Sequence, residues 1–140
     1  MKIVYPFLAL LFFVSCKTEV KKAEIKEKLI MYQASEMTEL MRGIYEYNKL
    51  SKHKIENDQD LFGYPDEFQK ISTAKLTDPS DRDTEFDSLA VVFLENQKAA
   101  YTFKGDLVKY SYNKSINACI SCHQTRCTGP LPKIRKLLIP

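Results

Sequence analysis

The chain has 140 residues, with 21 Lys and Arg against 18 Asp and Glu, a formal charge of +3. So small an excess excludes an electrostatic case for nucleic acid as partner. Four glycines, no tryptophan and an abundance of Lys, Glu, Leu and Ala favour a single helical domain over a β-rich or loop-rich one.

Residues 1–15 begin with one lysine and continue into the apolar run Phe7–Val14. That is the layout of a secretory signal peptide, too short to span a bilayer unaided. Phe13-Val14-Ser15-Cys16 resembles the lipobox of bacterial lipoproteins. The resemblance implies lipid on Cys16, and a location in the periplasm or on the cell surface, held to a membrane. Removal of residues 1–15 takes away one lysine and leaves a formal charge of +2. Residues 16–30 are densely charged and are expected to form a tether. The domain is expected over 31–140.

Four amphipathic segments follow. Tyr32–Leu50 places Met37, Leu40, Met41, Ile44 and Tyr45 at three- and four-residue steps, with Ser35 and Glu36 at its opening. The polar stretch from Asn48 to Gly63, including His53, is expected to be a connection with His53 in solvent. A second segment opens at Pro65, runs through Phe68, Ile71 and Leu76, and breaks at Thr77-Asp78-Pro79. The third, Asp83 to Phe103, traces an apolar face through Phe86, Leu89, Ala90, Phe93, Leu94, Gln97, Ala100 and Tyr101. Gly105 supplies a left-handed stop, and Asp106 a cap for the next helix. The fourth begins at Leu107, presents Tyr110 and Ile116 or Asn117 to the core, and ends by Thr128-Gly129-Pro130. Residues 131–140 alternate apolar and basic around two prolines. They are expected to fold back over the bundle or over the edge of its cofactor. The sum is an all-α chain, arranged as an antiparallel four-helix bundle.

The fourth segment carries Cys119-Ile120-Ser121-Cys122-His123. C-x-x-C-H is the attachment signature of a c-type haem: two thiols add to the two vinyl groups, and the adjacent imidazole binds the iron. A redox C-x-x-C needs a βαβ setting that this sequence does not offer. A structural zinc site needs about four ligands, with Cys127 and His53 the only further candidates. Export favours haem, because c-type haem is attached outside the cytoplasm. With Cys16 in lipid and Cys119 and Cys122 on haem, Cys127 is left alone, as a buried small hydrophobe or a partner for an intermolecular disulfide.

A C-x-x-C-H on the last helix of an exported bundle resembles the cytochrome c′ family, over roughly residues 32–127. Tyr32-Gln-Ala-Ser-Glu-Met37-Thr is similar to that family's first helix at the distal haem position. The resemblance implies one covalent haem c, with Cys119 and Cys122 as attachments and His123 as proximal ligand. It implies Met37 as distal ligand, with Met41 one turn on as the alternative. Both methionines are otherwise core filler. It implies an electron carrier rather than an enzyme, serving redox proteins at the same membrane face; an oligomer is compatible with it. Without a sixth ligand the same fold takes NO or CO at a high-spin iron. The family's basic residue near a haem propionate is replaced by Gln33. Arg42 or Arg126 can take that place, Arg126 being otherwise a cation at a helix end.

Overall fold

The computed structural model describes residues 33–105 and 107–140. Ser35 opens the first helix, α1 (Glu36–Glu56), by accepting the Thr38 N–H at 3.2 Å. α1 runs six residues past the predicted Leu50. The residues that continue it towards the interior are polar. Asn48 and Ser51 are fully buried, and the Asn48 amide accepts from Gln97 Nε2 at 3.0 Å. A buried face built of Asn and Ser carries no hydropathy signal. His53 therefore lies on the last turn of α1 rather than in a connection, and it is exposed there.

The second segment is a 3-10 helix, Asp66–Ser72, not an α-helix. Its buried residues, Phe68 and Ile71, stand three apart, and Ala74 just past its end is buried as well. That spacing keeps one row on one face at three residues per turn. A further 3-10 turn spans Pro79–Asp81.

α2 (Thr84–Ala100) is capped by Asp83, which accepts the Phe86 N–H at 2.8 Å. It buries Phe86, Ala90, Phe93, Gln97 and Ala100, the predicted face. Gly105 has φ +63°, the left-handed stop expected of it. Asp106, the expected cap of the next helix, lies outside the described residues. So do the expected signal peptide, Cys16 and the tether.

α3 (Leu107–Thr125) ends before Thr128 and buries Ser111, Tyr112, Ser115 and Ile116. The prediction for Tyr110 is corrected: it is 68% exposed, because the adjacent Tyr112 takes the interior position. Arg126, just past α3, reaches Asp83 at the start of α2, so α2 and α3 run in opposite directions.

The tail folds back, as expected. It forms a short α4 (Leu131–Arg135), with Pro132 in its first turn where the missing N–H costs nothing. Ile134, Leu137 and Ile139 are buried against Ala100, Tyr112 and Ile116. Asn113 exchanges two hydrogen bonds with the Ile139 backbone, at 2.8 and 2.9 Å. Lys52 Nζ donates to the Lys136 and Leu138 carbonyls at 3.0 and 2.9 Å.

The core has two clusters. One gathers Met37, Ile44, Phe68, Ile71, Ala74, Phe86, Ala90 and Phe93. The other is the α3–tail cluster. Cys119 packs against both. A polar seam of Asn48, Ser51, Gln97, Tyr101 and Tyr112 crosses the interior beside them. The described residues contain no strand, and none of their helices is long and apolar enough to cross a membrane.

Candidate functional site

The motif occupies the last two turns of α3. Residues at i, i+3 and i+4 of a helix share a face, so Cys119, Cys122 and His123 point together while Ser121 is exposed. Opposite them, α1 contributes Met41 and Ile44, α2 contributes Phe86, Leu89, Ala90 and Phe93, and the 3-10 helix contributes Ile71. These ten residues line one cleft of about 40 Å³, the volume of one or two waters. Apart from the two thiols and the imidazole, its walls are hydrocarbon, aromatic ring and thioether.

The His123 imidazole is fixed from behind. Its Nδ1 lies 2.8 Å from the Cys127 carbonyl oxygen. A carbonyl only accepts, so Nδ1 carries a proton, and the neutral ring has its lone pair on Nε2. Among the described residues Nε2 has no hydrogen-bond partner. Holding one ring nitrogen on a backbone carbonyl is how proteins orient a histidine for a metal. No signal in the side chains forecast this role for Cys127, because it is played by the backbone. The Cys127 thiol itself is exposed, correcting its prediction as a buried hydrophobe: the chain leaves α3 at Thr125 and carries residue 127 outward.

Both motif thiols are held protonated. Burial pushes Cys119 up to about 12, with Cys122 beside it adding to the shift. The Cys119 sulfur is deeply set although the residue as a whole is partly exposed. Burial also raises Cys122. A reactive C-x-x-C shows the opposite, a lowered thiol pKa.

Of the two candidate distal methionines, Met41 lines the cleft. Met37 is buried in the adjoining cluster, 6% exposed, and is not among the lining residues. His53 stands about 18 Å further along α1 than Met41, where its ring meets the Asn57 amide at 3.3 Å. Among the described residues no three His, Cys, Asp or Glu side chains converge as a metal centre of protein ligands alone.

Arg126 forms a bidentate pair with Asp83, both contacts 2.8 Å, and reaches Glu85 at 2.5 Å. Asp83 is held below the usual carboxylate range, chiefly by the Arg126 hydrogen bond and next by the Phe86 N–H. Arg126 Nε is buried without a partner among the described residues. Arg42 is exposed and paired with Glu39 at 2.5 Å. Gln33 is exposed.

The residues present suit a covalently held porphyrin: two thiols, an oriented imidazole, an apolar wall and a facing thioether. The cleft is smaller than a macrocycle, so insertion of one would require α1 and α2 to part from α3. No family model matches the chain, and neither does any curated protein or any solved structure.

Proposed function

We propose that the chain is a monohaem c-type cytochrome, an electron carrier held at a membrane by lipid on Cys16, with its helices forming an antiparallel bundle like that of cytochrome c′. The observation that carries this reading is the Nδ1–H to Cys127 carbonyl bond of His123, on the same apolar cleft as Cys119 and Cys122. The tautomer it selects is the one that ligates through Nε2, and the bond makes that nitrogen a stronger donor.

Haem, when bound, supplies a one-electron couple. Cys119 and Cys122 would hold it through thioethers, and His123 would offer Nε2 to the iron. Met41 Sδ is the distal ligand favoured by the cleft; Met37, one turn earlier, is the alternative. A thioether in place of a second imidazole would raise the reduction potential. Ile44, Ile71, Phe86 and Leu89 line the cleft and would keep water from the metal. The protonated thiols argue against a thiol–disulfide enzyme.

Visible spectra of the purified holoprotein in both redox states test this reading. The expected result is a covalent, low-spin, six-coordinate haem that Met41→Leu turns high-spin and Met37→Leu leaves unchanged. The reverse pattern moves the ligand to Met37. A high-spin wild type that takes CO or NO rapidly on reduction makes the protein a gas-binding module. Absence of a covalent mass increase overturns the haem assignment.

A further inference from the structure

The turn between α2 and α3 carries a second, larger concavity that the haem reading does not use. It encloses about 190 Å³ and is lined by Phe103, Leu107, Tyr110 and Lys114 among others. Three of its residues expose much of their apolar surface: Phe103 is 45% exposed, Leu107 56% and Tyr110 68%. Ordinary folding gives no reason for two aromatic rings and a leucine to stand in water around one groove.

The surrounding charge is mostly positive, with Glu95 beside the lining Asn96 as the acidic neighbour on α2. Lys114 lines the groove; Lys104 and Lys109 adjoin its apolar residues, and Lys98 adjoins Ala99 on its α2 side. All four are exposed, and no described acidic residue lies in ion-pair range of any of them. Residues 98–114 hold these four lysines and one aspartate. The excess of three charges equals that of the whole chain. All the cations here are lysine and none arginine. Protein interfaces enrich arginine and deplete lysine. A headgroup layer is met by lysines whose long stems let the ammonium snorkel while aromatic and aliphatic tips enter the acyl boundary.

We infer that the α2–α3 turn is a docking surface for an anionic lipid bilayer, with Phe103, Leu107 and Tyr110 inserting and the lysines meeting the headgroups. The site is separate from the motif: His123 lies about 20 Å along α3 from Tyr110. Docked there, the chain turns the far end of α3 towards the aqueous phase. The inference needs neither haem nor lipid on Cys16.

Its test is vesicle co-sedimentation of the full chain carrying Cys16→Ser, so that no lipid on that residue contributes. Phosphatidylcholine vesicles are compared with mixed phosphatidylcholine–phosphatidylglycerol vesicles. The expected result is tighter partitioning onto the anionic vesicles, lowered about tenfold or more by Lys104→Gln with Lys114→Gln. Leu107→Ser with Tyr110→Ser lowers it on its own. Both pairs are exposed, and circular dichroism checks that the fold is kept. Lys49→Gln with Lys70→Gln, which removes the same charge elsewhere, leaves partitioning unchanged. Equal losses from the two lysine pairs would reduce the effect to net charge and overturn the inference. Partitioning insensitive to the Leu107 and Tyr110 changes overturns it as well. So does self-association without vesicles that those changes abolish, which would make the face a contact between copies.

Discussion

At the scale of single residues, the interior polar groups show how much can rest on one hydrogen bond. Tyr112 is fully buried and its hydroxyl donates to the Asn48 carbonyl at 2.9 Å. Removing it with Tyr112→Phe keeps the ring and loses the bond. The expected cost is about 1–2 kcal/mol, measured by urea denaturation. Burial also raises the Tyr112 hydroxyl pKa, and that of Tyr101, above the usual tyrosine value. A raised folded-state pKa adds stability that is whole below about pH 10 and is lost as pH rises through the folded value. The wild type is therefore expected to weaken from about pH 10 upward, and Tyr112→Phe to weaken less steeply there. The sequence was uneven at this scale. Cys119, Cys122 and His123 were legible because their chemistry is written in a five-residue spacing. The hold on His123 was not, since it comes from the carbonyl of Cys127 and any residue has a carbonyl. Met37 and Met41 share a helical face one turn apart, so periodicity ranked neither above the other at the cleft.

At the scale of elements, period and caps decided what could be read. α2 was legible because its apolar face follows 3.6 residues per turn and Asp83 caps it. The last third of α1 was hidden because Asn48 and Ser51 do the burying. The 3-10 form of Asp66–Ser72 is not legible, since Phe68 and Ile71 three apart fit one face of either kind of helix. Element ends also carry electrostatics that composition cannot show. Arg126 ties the end of α3 to the start of α2 through Asp83 and Glu85. Because Asp83 is depressed, its contribution is present above the unfolded carboxylate value near pH 4 and is lost as pH falls through the folded value. Asp83→Asn keeps a competent cap but loses the charge pair. Melting temperatures followed from about pH 6 to pH 2 are expected to fall further in the wild type than in Asp83→Asn. Arg126→Gln is expected to show the same shallow profile, since it breaks the same pair from the other side. A wild type and variants with parallel profiles would show that the pair contributes nothing to folding.

At the scale of the whole molecule, the two core clusters differ in what they depend on. The α3–tail cluster is closed by protein alone: Ile134, Leu137 and Ile139 lie on Tyr112 and Ile116, latched by Asn113 and Lys52. The cluster around Met37, Ile44 and Phe68 borders the cleft, and its packing against α3 is what the proposed haem on Cys119 and Cys122 would change. Each 100 Å² of apolar surface taken from water contributes roughly 2.5 kcal/mol. On the proposed function, a porphyrin between α1, α2 and α3 would add apolar surface chiefly to the first cluster. Local opening reports such differences region by region. Amide exchange is therefore expected to slow over Met37–Ile44 and Asp66–Ser72 in haem-attached protein relative to Cys119→Ser with Cys122→Ser. Residues Tyr112–Ile116 and Ile134 are expected to exchange alike in both. Uniform slowing over the whole chain would mean that the clusters open together and that the polar seam beside them does not divide the fold.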